Sequence, residues 1–257
     1  MTTFVQTPIV CIYIPLTLTT IFQKLDNSTK HYYEVICENQ PCKLYFDIEF
    51  KKELNKSVNG VKLLQNFIEL LISDLKVKFD ISDINEKEHV INLTSTTEKK
   101  FSHHIIVNHP QLIFIDNYSA GKYVQYLCQK MKNMPEMILV MDEKAELTNP
   151  SQSITRYGTF IDEGVYTKNR NFRLYLSSKF NKNLQLKLFC ADGKSDKTVF
   201  LESLVSYLDN SQNRIKNGLN SKPKLIEFQF DDHTDVPRIH WTTNTYNKRS
   251  KSLIIRY

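Results

Sequence analysis

One short stretch restricts what this chain can fold into more than any other. Cys42-Lys43-Leu44-Tyr45-Phe46-Asp47-Ile48-Glu49-Phe50 sets two carboxylates at alternate positions inside an otherwise apolar run. Successive side chains of a strand point to opposite faces, so Phe46, Ile48 and Phe50 share a core face while Asp47 and Glu49 share the other. Carboxylates held side by side raise each other's pKa, and a divalent cation relieves that conflict. Hard oxygen ligands suit magnesium or manganese, and a pair of such ions is a common apparatus for displacement at phosphorus. An edge strand carrying two solvated acids has the same pattern, so the choice rests on the rest of the chain.

The surrounding sequence mixes two periods. Val61, Leu64, Phe67, Ile68, Leu71 and Leu75 recur at helical spacing, as do Val124, Leu127, Cys128 and Met131, and again Phe200, Leu201, Leu204, Val205 and Leu208. Period-two or continuous apolar runs predict strands near residues 44–50, 101–107, 137–141, 157–161, 170–177, 185–189 and 225–230. The expected class is α/β or α+β, with helices covering mixed sheets. At 257 residues and 41% hydrophobic content the chain can form one large domain or two modules sharing a cleft. Residues 142–153 are polar, contain Asn149-Pro150, and read as a link between two halves of one unit. The apolar run 9–22 is interrupted by Pro15 and several threonines and is too short to span a bilayer, so it reads as a buried strand or an irregular start. No membrane segment is expected. Cys11, Cys37, Cys42, Cys128 and Cys190 have neither zinc-site spacing nor the density of a disulfide framework, which makes a reducing compartment the default.

Two further constellations carry chemistry. In Lys99-Lys100-Phe101-Ser102-His103-His104-Ile105-Ile106-Val107, a strand would put Lys100, Ser102 and His104 on one face. A hydroxyl, an imidazole and an ammonium side by side can bond the oxygens of a phosphate chain. A structural histidine is the alternative, but three polar groups at alternate positions would all waste burial if that face were core. A Ser/His nucleophile pair is a further option, although a serine two residues before its base on one strand is poorly placed for in-line proton transfer. The third constellation runs from Phe160-Ile161-Asp162-Glu163-Gly164 through Arg170-Asn171-Phe172-Arg173-Leu174-Tyr175 to Lys179. Asp162 ends an apolar strand just before a glycine, where a side chain can project into a cleft. Asn171, Arg173 and Tyr175 would form the polar face of a strand bracketed by Arg170 and Lys179. Converging cations repel unless an anion is bound, whereas a solvated basic edge would merely discourage strand pairing. Charge is also uneven: residues 164–257 hold 17 Lys+Arg against 8 Asp+Glu, and residues 1–163 hold 17 against 20. A basic last part suits a polyanion.

In this order the three segments resemble the archaeo-eukaryotic primase superfamily and, within it, the eukaryotic PrimPol family. The similarity runs over about residues 31–210. It rests on His31-Tyr32-Tyr33-Glu34-Val35-Ile36 leading into Cys42-Lys43-Leu44-Tyr45-Phe46-Asp47, on Lys100-Phe101-Ser102-His103-His104, and on the run from Asp162 to Lys179. The resemblance implies that Asp47, Glu49 and Asp162 are catalytic ligands of two Mn2+ or Mg2+ ions. It implies that Ser102 and His104 contact the incoming nucleotide and that Lys100, Arg170, Asn171, Arg173 and Lys179 match further nucleotide-contacting positions. The implied catalytic core is two α/β modules, the second like an RNA-recognition fold, forming a cleft for single-stranded DNA template and primer. The implied activity is that of a primase and DNA-directed polymerase using NTPs and dNTPs, repriming and copying past damage in the nucleus and mitochondrial matrix. Family members also carry a longer N-terminal segment, a C-terminal zinc module and an acidic tail that binds replication protein A. Residues 1–30 are expected to be a divergent or truncated form of the first. Residues 211–257 match poorly and hold the basic run Lys248-Arg249-Ser250-Lys251; with no cysteine after Cys190, no zinc is expected here, nor the tail that binds replication protein A.

Two other classes fit parts of the pattern. Glu49-Phe50-Lys51 with an upstream acid such as Asp26 mimics a metal-dependent nuclease core, but leaves the Ser-x-His strand and the arginine cluster unexplained. A catalytically inactive nucleic-acid-binding remnant would keep the basic half without the chemistry.

Overall fold

The acid-bearing segment is the centre of the architecture. In a computed structural model, residues 10–12, 22, 24–26, 29–145, 153–190, 193–208, 225–230, 238–242 and 253–256 are described. In chain order, β1 (Val10–Ile12), β2 (Tyr33–Ile36) and β3 (Cys42–Lys51) precede helix α1 (Gly60–Phe79) and the single turn α2 (Glu86–His89). Strands β4 (Val90–Thr94), β5 (Lys100–Val107) and β6 (Ile113–Phe114) lead into helix α3 (Asn117–Lys132). Then come β7 (Leu139–Ala145), β8 (Ser153–Gly158), β9 (Arg170–Arg173), β10 (Lys187–Leu188), helix α4 (Asp196–Ser203), β11 (Leu225–Gln229), β12 (Arg238–Thr242) and β13 (Leu253–Arg256).

A seven-stranded sheet has the order β10-β4-β5-β3-β6-β11-β12, antiparallel throughout except for the β6–β11 pair. A four-stranded antiparallel sheet has the order β1-β13-β2-β9, and β7 pairs with β8. The class is mixed α+β, as the two periods predict. On β3 the apolar face packs under α1: Phe46 meets Phe67 edge to face at 5.2 Å, and Phe67 in turn meets Phe160 at 5.8 Å. Burying each such ring contributes about 1.5–3 kcal/mol. Asn59 caps α1 by accepting from the Lys62 amide, Asp80 ends it in the left-handed conformation, and Lys76 and Lys78 suit the dipole of its last turn.

Two buried acids tie the layers together. Asp74 of α1 accepts from the Tyr123 hydroxyl at 2.9 Å, the Tyr126 hydroxyl at 3.2 Å and Lys130 Nζ at 2.9 Å, which fixes α3 to α1. Glu34 of β2 accepts from the amides of Val205 and Ser206 and from the Ser206 hydroxyl. Burial pushes its carboxyl pKa up, against these bonds and Lys43. That capture explains a departure from the sequence pattern. The apolar stripe 200–208 predicts helix, yet α4 ends at Ser203: Leu204 caps it through its amide on the Leu201 carbonyl, and Val205 is held outside it because its carbonyl accepts from the Lys43 amide of β3 and its amide donates to Glu34.

The strand expected over 170–177 also stops early, at Arg173, and Leu176 adopts a left-handed turn at φ 61°. Near 137–141 a 3₁₀ turn, Pro135–Met137, precedes β7. Both flanks of the polar segment 142–153 stand in the paired strands β7 and β8, and residues 146–152 lie outside the described residues. In the run 9–22, residues 10–12 form β1 and Phe22 is buried; residues 9 and 13–21 lie outside the described set. No helix among the described residues is long and apolar enough to cross a membrane. Cys37, Cys42, Cys128 and Cys190 are free thiols.

Candidate active site

The register of β3 on β5 assembles the polar motifs. Asp47 stands opposite His104, Glu49 opposite Ser102 and Lys51 opposite Lys100. Residues directly opposite in an antiparallel pair share a face, so the acid-x-acid and Ser-x-His motifs form one polar patch. On the reverse face Phe50 stacks on Phe101 at 4.9 Å. Asp162 arrives along the other edge of β3. Ile161 bridges Ile48, the Asp162 amide donates to the Asp47 carbonyl at 2.8 Å, and the Glu49 amide donates to the Phe160 carbonyl at 2.8 Å. The turn that follows is anchored by Tyr45 Oη donating to the Val165 carbonyl at 3.0 Å, Tyr166 Oη donating to the Tyr45 carbonyl, and Asn117 donating to the Thr167 carbonyl. Gly121 of α3 permits this packing, because a Cβ there would lie 2.6 Å from Tyr166 Cβ.

Electrostatics single out Asp47. Its carboxyl is pushed up to about 6, first by burial and then by Glu49 and Asp162, with Lys100 and Lys179 opposing. Lys100 pairs with Glu49, and Asp162 Oδ1 accepts from the Gly164 amide at 2.8 Å. His104 lies flat on Phe172, ring centres 4.1 Å apart, with Nε2 3.8 Å from Asp47 Oδ1. Burial, then Arg173, Lys179 and His103, holds its pKa well below the usual imidazole range, so the ring is neutral at neutral pH. Its Nδ1 is buried without a hydrogen-bond partner.

Among the described residues no three His, Cys, Asp or Glu side chains stand arranged to hold a metal. Glu49 is turned to Lys100 and Asp162 to the Gly164 amide. The donor set nevertheless fits a hard cation: three carboxylates share a partly buried corner, and the charge of two of them is felt at the third. Taking up an ion requires Glu49 and Asp162 to turn toward Asp47.

The expected cations divide. Arg173 does not present to solvent: it is 7% exposed, donating from NH2 to Ser95 Oγ at 2.7 Å and from NH1 to the Leu184 carbonyl at 3.3 Å, with Nε lacking a partner. Lys179 is exposed in a turn closed by the Lys182 amide on its carbonyl, and its charge reaches Asp47 and His104. Arg170 and Asn171 are exposed at the start of β9, opposite Ile36 and Val35, and the Arg170 charge is felt at Tyr45. Lys51 pairs with Asp142 at 3.6 Å, and Asp26 acts on Lys30, so neither joins Glu49 as a nuclease core requires.

The sequence reading missed the segment that grips Ser102. Thr96 Oγ1 accepts from the Ser102 amide, Thr94 and Thr96 donate to its carbonyl, and Ser95 Oγ donates to its hydroxyl at 3.2 Å. The unbroken hydroxyl run Thr94-Ser95-Thr96-Thr97, just ahead of the Ser-x-His strand, was the available signal. An open groove of about 490 Å³, lined by Asp116, Lys122, Glu227 and Arg238 among others, contains none of these residues.

No protein-family model matches the chain. It is 32% identical over 219 residues to the DNA-directed primase/polymerase protein of Danio rerio, covering 74% of this chain and 41% of that protein. It is 31% identical over 259 residues to the protein of the same name from Bos taurus, covering 76% and 46%. With that of Homo sapiens it shares 29% identity over 306 residues, covering 88% and 54%. The chain thus spans about half the length of the curated relatives it matches.

Proposed function

Since the chain is a relative of the DNA-directed primase/polymerase proteins, we propose that it is a nucleotidyltransferase that extends or starts strands on a single-stranded DNA template. The observation that carries this reading is the β3–β5 register, which sets Asp47 opposite His104 and Glu49 opposite Ser102, with Asp162 hydrogen-bonded through its backbone to Asp47. Carboxylates on one strand and phosphate-binding groups on the next are what a nucleoside triphosphate and its cations need together. The two-module core with a template cleft, and roles in repriming and translesion synthesis, are part of the same proposal.

Asp47, Glu49 and Asp162 would hold two magnesium or manganese ions, which when bound supply acidity to an attacking 3′-hydroxyl and positive charge to the departing pyrophosphate. The protein's own groups then have defined tasks. Asp47 must be ionised to act as a ligand, and in the metal-free protein its carboxyl is pushed up to about 6, so uptake of the cation competes with a proton as pH falls toward that value. Lys100 holds Glu49 in place through their ion pair, and becomes available to phosphate when Glu49 turns inward. Neutral His104 would donate a single N–H and the exposed Lys179 Nζ would donate to non-bridging phosphate oxygens, while the buried Arg173 lends its charge from behind them. Phe172, stacked on His104, prevents the ring from tipping away. Arg170 and Asn171, at the exposed start of β9, would reach the nucleotide or the adjacent strand.

A primed DNA template incubated with labelled deoxynucleotides and manganese tests the proposal. Extension that disappears in Asp47→Ala is expected. Degradation would substitute the nuclease reading, and DNA binding with neither product would mark an inactive remnant.

A further inference from the structure

We propose that Ser95 is a positioning residue of the nucleotide site, a relay that couples the Arg173 guanidinium to the Ser102 hydroxyl and leaves Ser102 with its proton free for a phosphate oxygen. The inference rests on the reading of this face as a nucleotide site. It comes from the direction of two hydrogen bonds. A guanidinium can only donate, so the 2.7 Å bond from Arg173 NH2 occupies an acceptor lone pair of Ser95 Oγ. Ser95 directs its single proton to Ser102 Oγ at 3.2 Å. Ser102 therefore accepts from inside the protein, and its own proton points to a partner elsewhere.

The surroundings hold this polarity. Ser95, Ser102 and Arg173 are 7%, 8% and 7% exposed, so water competes little for these bonds. The backbone of Ser102 is fixed on both sides by Thr94, Ser95 and Thr96, which leaves its side chain little freedom. Bonds in such a chain polarise one another, and a charged donor at the head makes the last hydroxyl a better donor. The relay also ties β9 to the turn between β4 and β5, so the arginine and the serine move as one unit. The Ser95 side chain bonds Ser102 and Arg173, whereas Ser102 stands opposite Glu49 on the strand pair, which separates the two roles.

Kinetics of deoxynucleotide incorporation on a primed template, with a separate equilibrium titration of nucleotide onto the protein, test this. Ser95→Ala is expected to raise nucleotide KM about tenfold, the loss typical of one hydrogen bond to a charged partner, with a smaller change in kcat and no change in DNA affinity. Ser95→Cys fills the same space without accepting well from arginine, and is expected to behave like Ser95→Ala. Ser95→Thr keeps the hydroxyl and is expected to restore KM. In a Ser102→Ala background, removing Ser95 is expected to add little, because the relay has lost its end. If Ser95→Ala melts too low to assay, the cysteine and threonine pair reads the same contrast. An unchanged KM in the folded variants, a cysteine variant equal to wild type, or fully additive losses with Ser102→Ala would overturn the relay and leave Ser95 as packing. A wild-type protein that neither binds nor incorporates nucleotide would instead overturn the underlying nucleotide-site reading.

Discussion

Asp47 and Asp74 are both mostly buried carboxylates, and the protein treats them in opposite ways. Asp74, between α1 and α3, has two tyrosine hydroxyls and a lysine aimed at its oxygens. Asp47, on the polar face of β3, has two other carboxylates for neighbours, and its closest cationic candidate is a neutral histidine 3.8 Å away. A buried charge with its valences filled fastens elements together; one left facing like charges weakens the fold and persists where a ligand completes it. The same contrast recurs among neutral groups. Near Asp47, His104 Nδ1 and Arg173 Nε are buried without partners, whereas on the reverse face of the same strand His103 has Asn92 on one nitrogen at 2.7 Å and Thr94 on the other at 3.2 Å.

The sharpest break of this comparison is to neutralise each acid in turn. Asp47→Asn is expected to reduce nucleotide incorporation by on the order of a thousandfold or more, since a metal-binding carboxylate supplies several kcal/mol to the transition state. Its fold should be intact by circular dichroism. Near wild-type extension would remove Asp47 from the chemistry.

Stability should move the other way, and with pH. A carboxyl raised from 3.8 to about 6 binds its proton more tightly in the folded state, so ionisation costs the fold about 3 kcal/mol above pH 7. As pH falls through about 6 toward 4 the folded protein takes up the proton first and the cost disappears. In metal-free buffer Asp47→Asn should therefore be more stable than wild type at pH 8 by up to that amount, and equal to it near pH 4. Adding manganese should stabilise wild type and leave the variant unmoved. Denaturant titrations across this range check it, and a pH-independent difference would show that Asp47 is not strained by charge.

Asp74→Ala should give the mirror result. Three donors lose their acceptor, costing about 2–3 kcal/mol, less than a fully buried pair because Lys130 is 40% exposed. Specific activity per folded molecule should not change. A loss of activity that exceeds the loss of folded protein would mean that α1 and α3 position the acids more tightly than their contacts suggest.

How much of this was legible in the sequence follows from the same contrast. Period two was enough to put Asp47 with Glu49, and Ser102 with His104, because alternation is a local property of a strand. That the two pairs face each other depended on the β3–β5 register, which no single segment encodes. Helices α1 and α3 were readable from their apolar stripes, but the end of α4 was not, since it is set by Glu34, far away in the chain. Arg173 is expected on the polar face of a strand, among cations converging on an anion; its burial depends on Ser95 and Leu184, contributed by other segments. The role of Asp74 is not legible, because an acid in an amphipathic helix looks solvated until the tyrosines of another helix are known.

The smallest effect separates two lysines that a sequence cannot distinguish. Lys130 bonds Asp74 at 2.9 Å, while Lys179 is exposed and acts on Asp47 only through its charge. Lys179→Ala should leave the melting temperature unchanged and raise nucleotide KM about tenfold, the loss of one charge-assisted hydrogen bond. It should also shift the acid limb of the pH–rate profile upward, because the ammonium helps to keep Asp47 ionised and its loss lets that carboxyl hold its proton above pH 6. Lys130→Ala should do the reverse, lowering the melting temperature with no change in KM or in the acid limb. The two readouts for Lys179 are independent: a KM shift needs contact with the nucleotide, whereas a pH shift needs only proximity to Asp47. If the acid limb moves and KM does not, Lys179 tunes the acid without touching phosphate. If neither moves, its charge is spent on solvent or on the template strand, and the strain on Asp47 rests on burial, Glu49 and Asp162, with Lys100 opposing.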